Sequence, residues 1–302
     1  MTIEEILADI RSDRVKKVIF DCDAYNDIDD EYALAFAVGS DRMDVCAANA
    51  TLFNNPRVNG HEDGMLHAYD QIVKVLKLIG YEHIPAFKGA PTPVTLAGGP
   101  VPNPASDNII KTAHSSNEPV YILVTGGATN VASAIMTDPS IKDKICVIWM
   151  ACNTLDYVGP ARDYNADQDR DAGHYLIDCG VNLVLIPSIG PEGYGTQTLL
   201  GDQEYIDRML TGDSDAAVFF RNYLPDFAFA EEGEPLHHFW DIAAPGILED
   251  SDAFDIEIIS APRIRSDNSW SLSEDRHKII YVPRMDDSRV MDETFKTINK
   301  LI

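Results

Sequence analysis

Basic side chains are scarce in this chain of 302 residues, where 24 lysines and arginines stand against 49 aspartates and glutamates. The formal net charge of −25 repels phosphate backbones, so nucleic-acid binding through a basic face is disfavoured. Anionic membrane surfaces are disfavoured for the same reason. The open question is whether the acidity serves only solubility or includes carboxylates that form a site.

Long apolar runs and paired cysteines are also missing. No uninterrupted apolar run approaches the roughly 18 residues that suggest a membrane span. The first residues, MTIEEILADIRSD, have neither the cationic start nor the apolar stretch of a signal peptide. The five cysteines contain no CxxC pair, which is typical of reduced thiols. We therefore expect a cytoplasmic protein without disulfides.

Short apolar runs alternate with amphipathic stretches along the first two thirds of the chain. The predicted buried strands are Val18–Phe20, Val120–Val124, Ile145–Met150 and Leu183–Ile186. The predicted helices between them are Asp29–Val38, Met65–Ile79 and Asn130–Met136. Continuous apolar strands alternating with helices indicate an α/β fold with a mostly parallel central sheet and helices on both faces.

The last third of the chain has a different pattern. Phe254, Ile256 and Ile258 alternate with polar residues, which predicts a half-exposed strand that pairs with Ile279–Val282. A closing helix is predicted from Met291 to Ile302. The segment 89–108 is rich in proline and glycine and is predicted to be a surface loop. No linker separates the chain into parts, so we expect one domain over residues 1–302.

The segment DCDAYNDIDD, residues 21–30, holds five carboxylates in ten positions. It lies at the carboxyl end of the first predicted strand, where ligands bind in open α/β sheets. Carboxylates this close repel one another, and a hard divalent cation such as Ca²⁺ removes that penalty. Alternatively, Asp29 or Asp30 caps the following helix. Capping leaves Asp21 and Asp23, at the end of a buried strand, unexplained.

Phe20-Asp21-Cys22-Asp23 followed by Asp29-Asp30 resembles the N-terminal signature of the inosine-uridine-preferring nucleoside hydrolases. That signature is a DxD, a short turn and a DD that enters a helix. The turn in this chain is two residues longer than the commonest form and lacks its Pro-Gly. The sequence Asn-Asp-Ile-Asp-Asp resembles a branch of the superfamily with the longer motif.

Four further segments resemble family motifs in the family's order. They are Val124 to Asn130 (VTGGATN), Met150-Ala151-Cys152, Asp163-Tyr164-Asn165 with Asp169, and Trp240 to Ala244 (WDIAA). Each segment alone is a weak match, whereas their shared order is specific. The resemblance implies a Rossmann-like nucleoside hydrolase fold and Ca²⁺-dependent hydrolysis of the N-glycosidic bond of ribonucleosides, which gives ribose and the free base.

The resemblance also implies roles for individual residues. Asp23, Asp30, the Thr125 carbonyl and Asp241 would bind one Ca²⁺, and Asp23 would accept a proton from a water that the metal positions. Asp27 has no counterpart in the short-turn form and is either an extra ligand or a nearby acid. Without its neighbours in the motif order, Asp241 would be interpreted as an exposed acid at a helix start.

Ribose contacts follow from the same resemblance. Asp29, Asp163 and Asn165 would bind sugar hydroxyls, and Asn54 or Asn55 resembles a further sugar contact. For Asp163 the alternative interpretation is an ordinary loop acid. The Asp at position 163 stands where the family has Glu, so the preferred substrate can differ from inosine or uridine.

Trp240 stands where many family members have a histidine that protonates the leaving base. A tryptophan here resembles the purine-preferring branch, in which the base stacks between aromatic rings. His237 and His238 precede it, and either could act as the acid if this stretch is irregular. Further aromatic residues that could face the base, or could simply pack in the core or in loops, are Tyr25, Phe53 and Tyr194.

Two other function classes remain open at the level of sequence. A strand ending in DxD also begins the haloacid-dehalogenase-like Mg²⁺ phosphatases, whose first aspartate is a nucleophile, but Asp29 and Asp30 have no role in that mechanism. The second alternative is a Ca²⁺-dependent ribose- or nucleoside-binding protein without efficient catalysis. The resemblance further implies a small-molecule nucleoside substrate and a homodimer or homotetramer.

Overall fold

The structure is a computed structural model that describes residues 1–222 and 236–302. The strands in this part of the chain are β1 Lys16–Cys22, β2 Met43–Ala50, β3 Ala86–Lys88, β4 Val120–Val124, β5 Ile145–Met150, β6 Asn182–Ile186, β7 Leu200–Asp202, β8 Leu236–His238, β9 Phe254–Ser260, β10 Arg263–Ile264, β11 Trp270–Ser271 and β12 Lys278–Met285. The α-helices are α1 Ile3–Ile10, α2 Asp29–Gly39, α3 His61–Leu78, α4 Val94–Ala97, α5 Pro104–Ser115, α6 Thr129–Thr137, α7 Tyr164–Gln168, α8 Arg170–Asp178, α9 Gln203–Met209, α10 Asp215–Asn222, α11 Ala243–Glu249 and α12 Asp287–Ile298.

Eight strands form one sheet in the order β3-β2-β1-β4-β5-β6-β12-β9. Neighbouring strands in the described sheet run parallel, except that β9 is antiparallel to β12. All residues of β4 and β5 are buried, so both faces of the sheet are covered. Helices α2, α11 and α12 pack together, and α6 packs against both α5 and α8. The predicted α/β class with a mostly parallel sheet is confirmed.

Several predicted elements coincide with observed ones. The predictions for β4 and β5 match residue for residue, and β9 pairs with β12 as expected. The closing helix α12 ends at Ile298, before the predicted end at Ile302. The five cysteines are free thiols. The assignment of residues 1–302 to a single domain stays a prediction.

Helix α2 is buried around its whole circumference, from Asp29 to Val38. Its apolar residues occupy every face because the helix packs against α11, α12 and β2. The first turn of the helix contains Asp29, Asp30 and Glu31, and these acids are therefore carried into the interior with it. Among the helices of residues 1–222 and 236–302, none is long and apolar enough to cross a membrane.

The predicted surface loop at 89–108 is wrong in part, because it contains α4 and the first residues of α5. Asn103 caps α5: its Oδ1 accepts the Ser106 N–H over 2.8 Å, and Pro104 occupies the first helical position. Proline at that position and asparagine before it are start signals for a helix. Pro104 therefore marks the start of α5 rather than the interior of a loop.

The α5 cap gives a test of the fold. Replacement Asn103→Ala removes the acceptor for the Ser106 N–H, so we expect the free energy of unfolding to fall by about 1 kcal/mol. Asn103→Asp keeps this acceptor but loses the donation from Nδ2 to the Val101 carbonyl, so it should recover only part of the loss. Urea denaturation of both variants measures the difference, and equal stabilities for them would contradict the cap.

Candidate active site

The site lies at the edge of the sheet where the parallel strands β1, β4 and β5 end. Asp23 follows β1 directly, and Thr125 follows β4 directly. Asp241 reaches the same edge from much later in the chain, in the short 3-10 turn Trp240–Ile242, which packs against α2. The tertiary structure therefore brings the N-terminal and C-terminal acidic motifs together.

Four aspartates form a buried cluster at this edge: Asp23, Asp29, Asp30 and Asp241, each 3% exposed or less. Carboxylate oxygens of Asp29, Asp30 and Asp241 lie within 4.8 Å of one another. The Asp241 N–H donates to Asp29 Oδ2 over 3.1 Å, across 212 positions of sequence. Asp30 joins Asp23 to the remaining two, since its carboxyl is hydrogen-bonded to those of Asp23 and Asp241. We call these four residues the carboxylate cluster.

Burial raises the pKa of every carboxyl in the carboxylate cluster well above its ordinary value, and repulsion from the neighbouring carboxylates raises it further. The hydrogen bond from the Asp241 N–H lowers the pKa of Asp29 and so opposes part of this rise. The Thr125 hydroxyl, which donates to Asp30 Oδ1 over 2.7 Å, does the same for Asp30. Without a positive charge, the carboxylate cluster keeps protons that isolated aspartates release.

The donor set fits a hard divalent cation. Carboxylate oxygens of Asp29, Asp30 and Asp241 converge, and Asp23 joins them through its hydrogen bond with Asp30. The Thr125 carbonyl follows β4 at the same edge, and oxygen ligands of these kinds suit Ca²⁺. A Cβ on Gly126 would lie 2.8 Å from Asp23 Oδ1, so the missing side chain keeps space open beside this carboxylate. A cation would offset the repulsion that otherwise opposes the arrangement.

Asp27 lies beside the carboxylate cluster and is half-buried. Its Oδ1 accepts the N–H of Ile28 over 2.7 Å, and its charge acts on Asp29. Burial raises the pKa of Asp27 to about 6, while the Ile28 N–H and the Arg57 charge lower it. Because one carboxylate oxygen is already used, these contacts fit an acid beside the metal ligands better than an additional metal ligand.

Asn165, expected to bind ribose, joins two strand ends. Its Nδ2 donates to the carbonyl oxygens of Thr125 and Met150, over 3.0 Å in each case. The Thr125 carbonyl expected to bind the metal is thus held by an amide from α7. The NH₂ group of Asn165 is used by these two bonds, so a contact with a sugar hydroxyl would have to use Oδ1.

Asp163 combines the two interpretations made from the sequence. Its Oδ1 accepts the Ala166 N–H over 3.0 Å and so caps α7, and its Oδ2 accepts the Ser188 hydroxyl. Burial raises the pKa of Asp163, and the Ser188 hydroxyl lowers it.

Asn54, another expected sugar contact, is exposed, and its backbone N–H donates to Gln168 Oε1 over 2.8 Å.

Asn26 has no role in the sequence-based prediction, although it stands in the Asn-Asp-Ile-Asp-Asp motif. In the structure its Nδ2 donates to Asp23 Oδ2 over 3.0 Å. Asn55, one of the expected sugar contacts, donates to Asn26 Oδ1 over 2.9 Å. The only signal in the sequence is an amide placed between acids, which does not indicate its partners.

The aromatic residues are arranged differently from expectation. Trp240 stacks on His238 with ring centroids 4.2 Å apart, so this histidine lies beside the tryptophan. Phe53 is fully buried, so of its two interpretations the one as a core residue is correct, and it cannot face a base. Tyr25 stacks on His67 at 4.7 Å, and the Arg284 guanidinium lies 5.0 Å from the Tyr194 ring.

The family model described as inosine-uridine preferring nucleoside hydrolase matches residues 18–260. The pyrimidine-specific ribonucleoside hydrolase RihA of Citrobacter koseri is 29% identical over 192 residues, which cover 56% of this chain and 58% of that protein. The chain thus spans 58% of the length of this curated relative.

Solved structures share the fold at lower identity. A purine-preferring ribonucleoside hydrolase from Gardnerella vaginalis superposes with a TM-score of 0.77 at 18% identity, covering 95% of this chain and 99% of that one. An inosine-uridine preferring nucleoside hydrolase from Bacillus anthracis gives 0.66 at 17% identity, covering 94% and 99%. These similarities establish the architecture of the chain.

The raised pKa values of the carboxylate cluster predict how stability depends on pH. A carboxyl whose pKa is raised in the folded state binds a proton that the unfolded state has already released, so the free energy of unfolding falls as pH rises. In the presence of a chelator, we expect this loss to begin above about pH 4, where the unfolded chain releases its aspartate protons, and to amount to up to roughly 1.4 kcal/mol per pH unit for each retained proton.

Urea denaturation across this range measures the loss, and added Ca²⁺ should reduce it. Asp241→Asn removes one carboxyl from the carboxylate cluster, so its stability should fall less steeply with pH than that of the wild type. Parallel pH profiles for the two proteins in chelator would contradict the assignment of the effect to the carboxylate cluster.

Proposed function

The chain belongs to the inosine-uridine preferring nucleoside hydrolase family, and we propose that it hydrolyses the N-glycosidic bond of ribonucleosides to ribose and the free base. The observation that carries the proposal is the carboxylate cluster, which joins Asp23, Asp29 and Asp30 to Asp241 at the ligand-binding edge of the sheet. The full-length match to the fold of solved nucleoside hydrolases supports it.

Ca²⁺ is the proposed cation. Asp23, Asp30 and Asp241, which interact with one another, would hold it through carboxylate oxygens, and Thr125 through the carbonyl to which Asn165 donates. Once bound, a divalent cation orients a water molecule and the sugar hydroxyls and makes that water more acidic. Asp29 accepts the Asp241 N–H at Oδ2 and a further hydrogen bond from its own backbone N–H, and its remaining lone pairs would accept from a ribose hydroxyl.

The protein residues supply the proton transfer and the charge. The water oxygen forms a bond to C1′ of the ribose as the bond from C1′ to the base nitrogen breaks, and the bonding electrons leave with the base. Asp23 accepts the proton of the water, while the nearby carboxylates stabilise the positive charge that develops on the ribosyl group.

Ribose recognition would use the four residues expected from the sequence in addition to Asp29, namely Asn54, Asn55, Asp163 and Asn165. Asn55 is linked to the turn through Asn26, and Asn165 reaches the same edge from α7. Asp163 is engaged by the Ala166 N–H and the Ser188 hydroxyl, so its contact with a sugar hydroxyl needs the remaining lone pairs of its two oxygens. Asn54 is exposed, and its side chain would be available to a sugar hydroxyl.

The leaving base would meet the stacked pair of Trp240 and His238. Trp240 offers a flat apolar surface for a base, and His238 offers a ring nitrogen for protonation. Relatives differ in their named base preference: the RihA proteins are pyrimidine-specific, whereas the Gardnerella enzyme is purine-preferring. The base class is therefore left to measurement.

The phosphatase alternative loses its support. It requires Asp21 as a nucleophile, but this carboxylate is fully buried and accepts hydrogen bonds from Asn49 and Asn130, each over 3.1 Å. The family match also covers this segment.

The alternative of a Ca²⁺-dependent binding protein without efficient catalysis is tested by assaying the release of base from ribosides. The homodimer or homotetramer remains a prediction, and light scattering tests it by measuring the molar mass in solution.

Asp23→Asn tests the proposed proton acceptor. An amide cannot take a proton from water, so we expect kcat on ribonucleosides to fall by about a hundredfold or more, with weaker Ca²⁺ binding. Reducing-sugar release from purine and pyrimidine ribosides, with and without chelator, gives the rates, and calorimetry gives the Ca²⁺ affinity.

Asp286→Asn is the matched control, since Asp286 caps α12 and asparagine caps equally well. Wild-type activity in Asp23→Asn would show that Asp23 is not the acceptor. A wild-type protein that binds nucleosides with Ca²⁺ but releases no base from any riboside would favour the binding-protein alternative.

His238→Ala tests protonation of the leaving base. We expect kcat to fall by about a hundredfold on natural ribonucleosides, while 4-nitrophenyl riboside, whose phenolate leaves without a proton, is hydrolysed at nearly the wild-type rate. His237→Ala serves for comparison because His237 precedes it on β8 and projects to the other face. Equal losses on both substrates would contradict the role of His238.

A further inference from the structure

Asn26 lies at the centre of the turn between β1 and α2 and is 7% exposed. Both ends of its amide are used. Nδ2 donates to Asp23 Oδ2 over 3.0 Å, while Oδ1 accepts from Asn55 Nδ2 over 2.9 Å and from the Tyr164 hydroxyl over 3.0 Å. One side chain thus connects Asp23 to the segment after β2 and to α7.

The backbone of the turn is held from outside as well. Tyr25 has a φ of 78°, in the left-handed region that a tyrosine rarely adopts, so surrounding contacts must maintain it. Its ring stacks on His67 of α3, and the Arg57 guanidinium lies 5.0 Å from the ring centroid. Arg57 also donates to the Asn26 carbonyl. These contacts fix the position of Asn26 relative to the sheet.

The chemistry of the contacts selects an amide at position 26. The residue must donate to a carboxylate and accept from two donors at once, and an amide carries both functions in one planar group. An aspartate could accept from Asn55 and Tyr164 but could not donate to Asp23. An apolar residue could do neither.

We propose that Asn26 is a positioning residue, which fixes the orientation of the Asp23 carboxylate and couples it to Asn55 and Tyr164. The hydrogen bond to Oδ2 limits rotation of the carboxylate, so that Oδ1 keeps one direction beside Gly126. The effect on catalysis rests on the proposed function, because a proton acceptor works only within hydrogen-bond reach of its water. The effect on the carboxylate cluster does not depend on that function.

Asn26→Ala and Asn26→Asp test the proposal, with Asn103→Ala as the matched control, since Asn103 is also a buried, hydrogen-bonded asparagine but caps α5. We expect kcat on ribonucleosides to fall by about tenfold to a hundredfold in both Asn26 variants, while KM changes by less than about threefold. Calorimetric titration with Ca²⁺ should show weaker binding for Asn26→Ala than for Asn103→Ala. Tyr164→Phe, which keeps the donation to Asp23, should lose less activity than either Asn26 variant.

The outcomes separate this inference from the proposed function. Wild-type kcat and Ca²⁺ affinity in Asn26→Ala would overturn the positioning role while the nucleoside hydrolase activity stands. If the wild type releases no base but Asn26→Ala still binds Ca²⁺ more weakly than Asn103→Ala, the proposed function fails and the positioning role holds. A wild type that neither binds Ca²⁺ nor hydrolyses ribosides overturns both. If Asn26→Ala does not fold, wild-type kcat in Asn26→Asp overturns the role.

Discussion

Repulsion between buried carboxylates is the constraint on which the site depends. Asp29, Asp30 and Asp241 bring oxygens within 4.8 Å of one another in a place where burial alone already raises their pKa values. Such an arrangement is costly unless protons or a cation neutralise it. Hydrogen bonds from the Thr125 hydroxyl and the Asp241 N–H offset part of the cost. The proposed divalent cation would offset the remainder, which would couple its binding to the stability of the fold.

The buried helix α2 creates this constraint. Because it packs against α11, α12 and β2, its first turn cannot point its acids into water. The acids at the start of an ordinary surface helix would need no partner beyond the helix dipole. Here the same residue types at the same helical positions become a site, since the sheet edge and the turn at Trp240–Ile242 enclose them.

Amides perform much of the positioning around the carboxylate cluster. Asn165 holds the carbonyls of Thr125 and Met150, and Asn26 joins Asp23 to Asn55 and Tyr164. Such side chains satisfy carboxylates and carbonyls without adding charge, which suits a region that already carries excess negative charge. Residues expected to touch ribose therefore also support the groups beside it.

The sequence alone determined the α/β class, the strands β4 and β5, and the acids at the start of α2, because these depend on local periodicity and on short motifs. It also indicated Asp241 through the order of the motifs. Only the tertiary structure decided that Phe53 belongs to the core, that Asp163 caps α7, and that Asn26 contacts Asp23. Those outcomes depend on contacts between segments far apart in the chain, such as Asn26 with Tyr164. The local pattern of residue types does not indicate which distant segments come into contact.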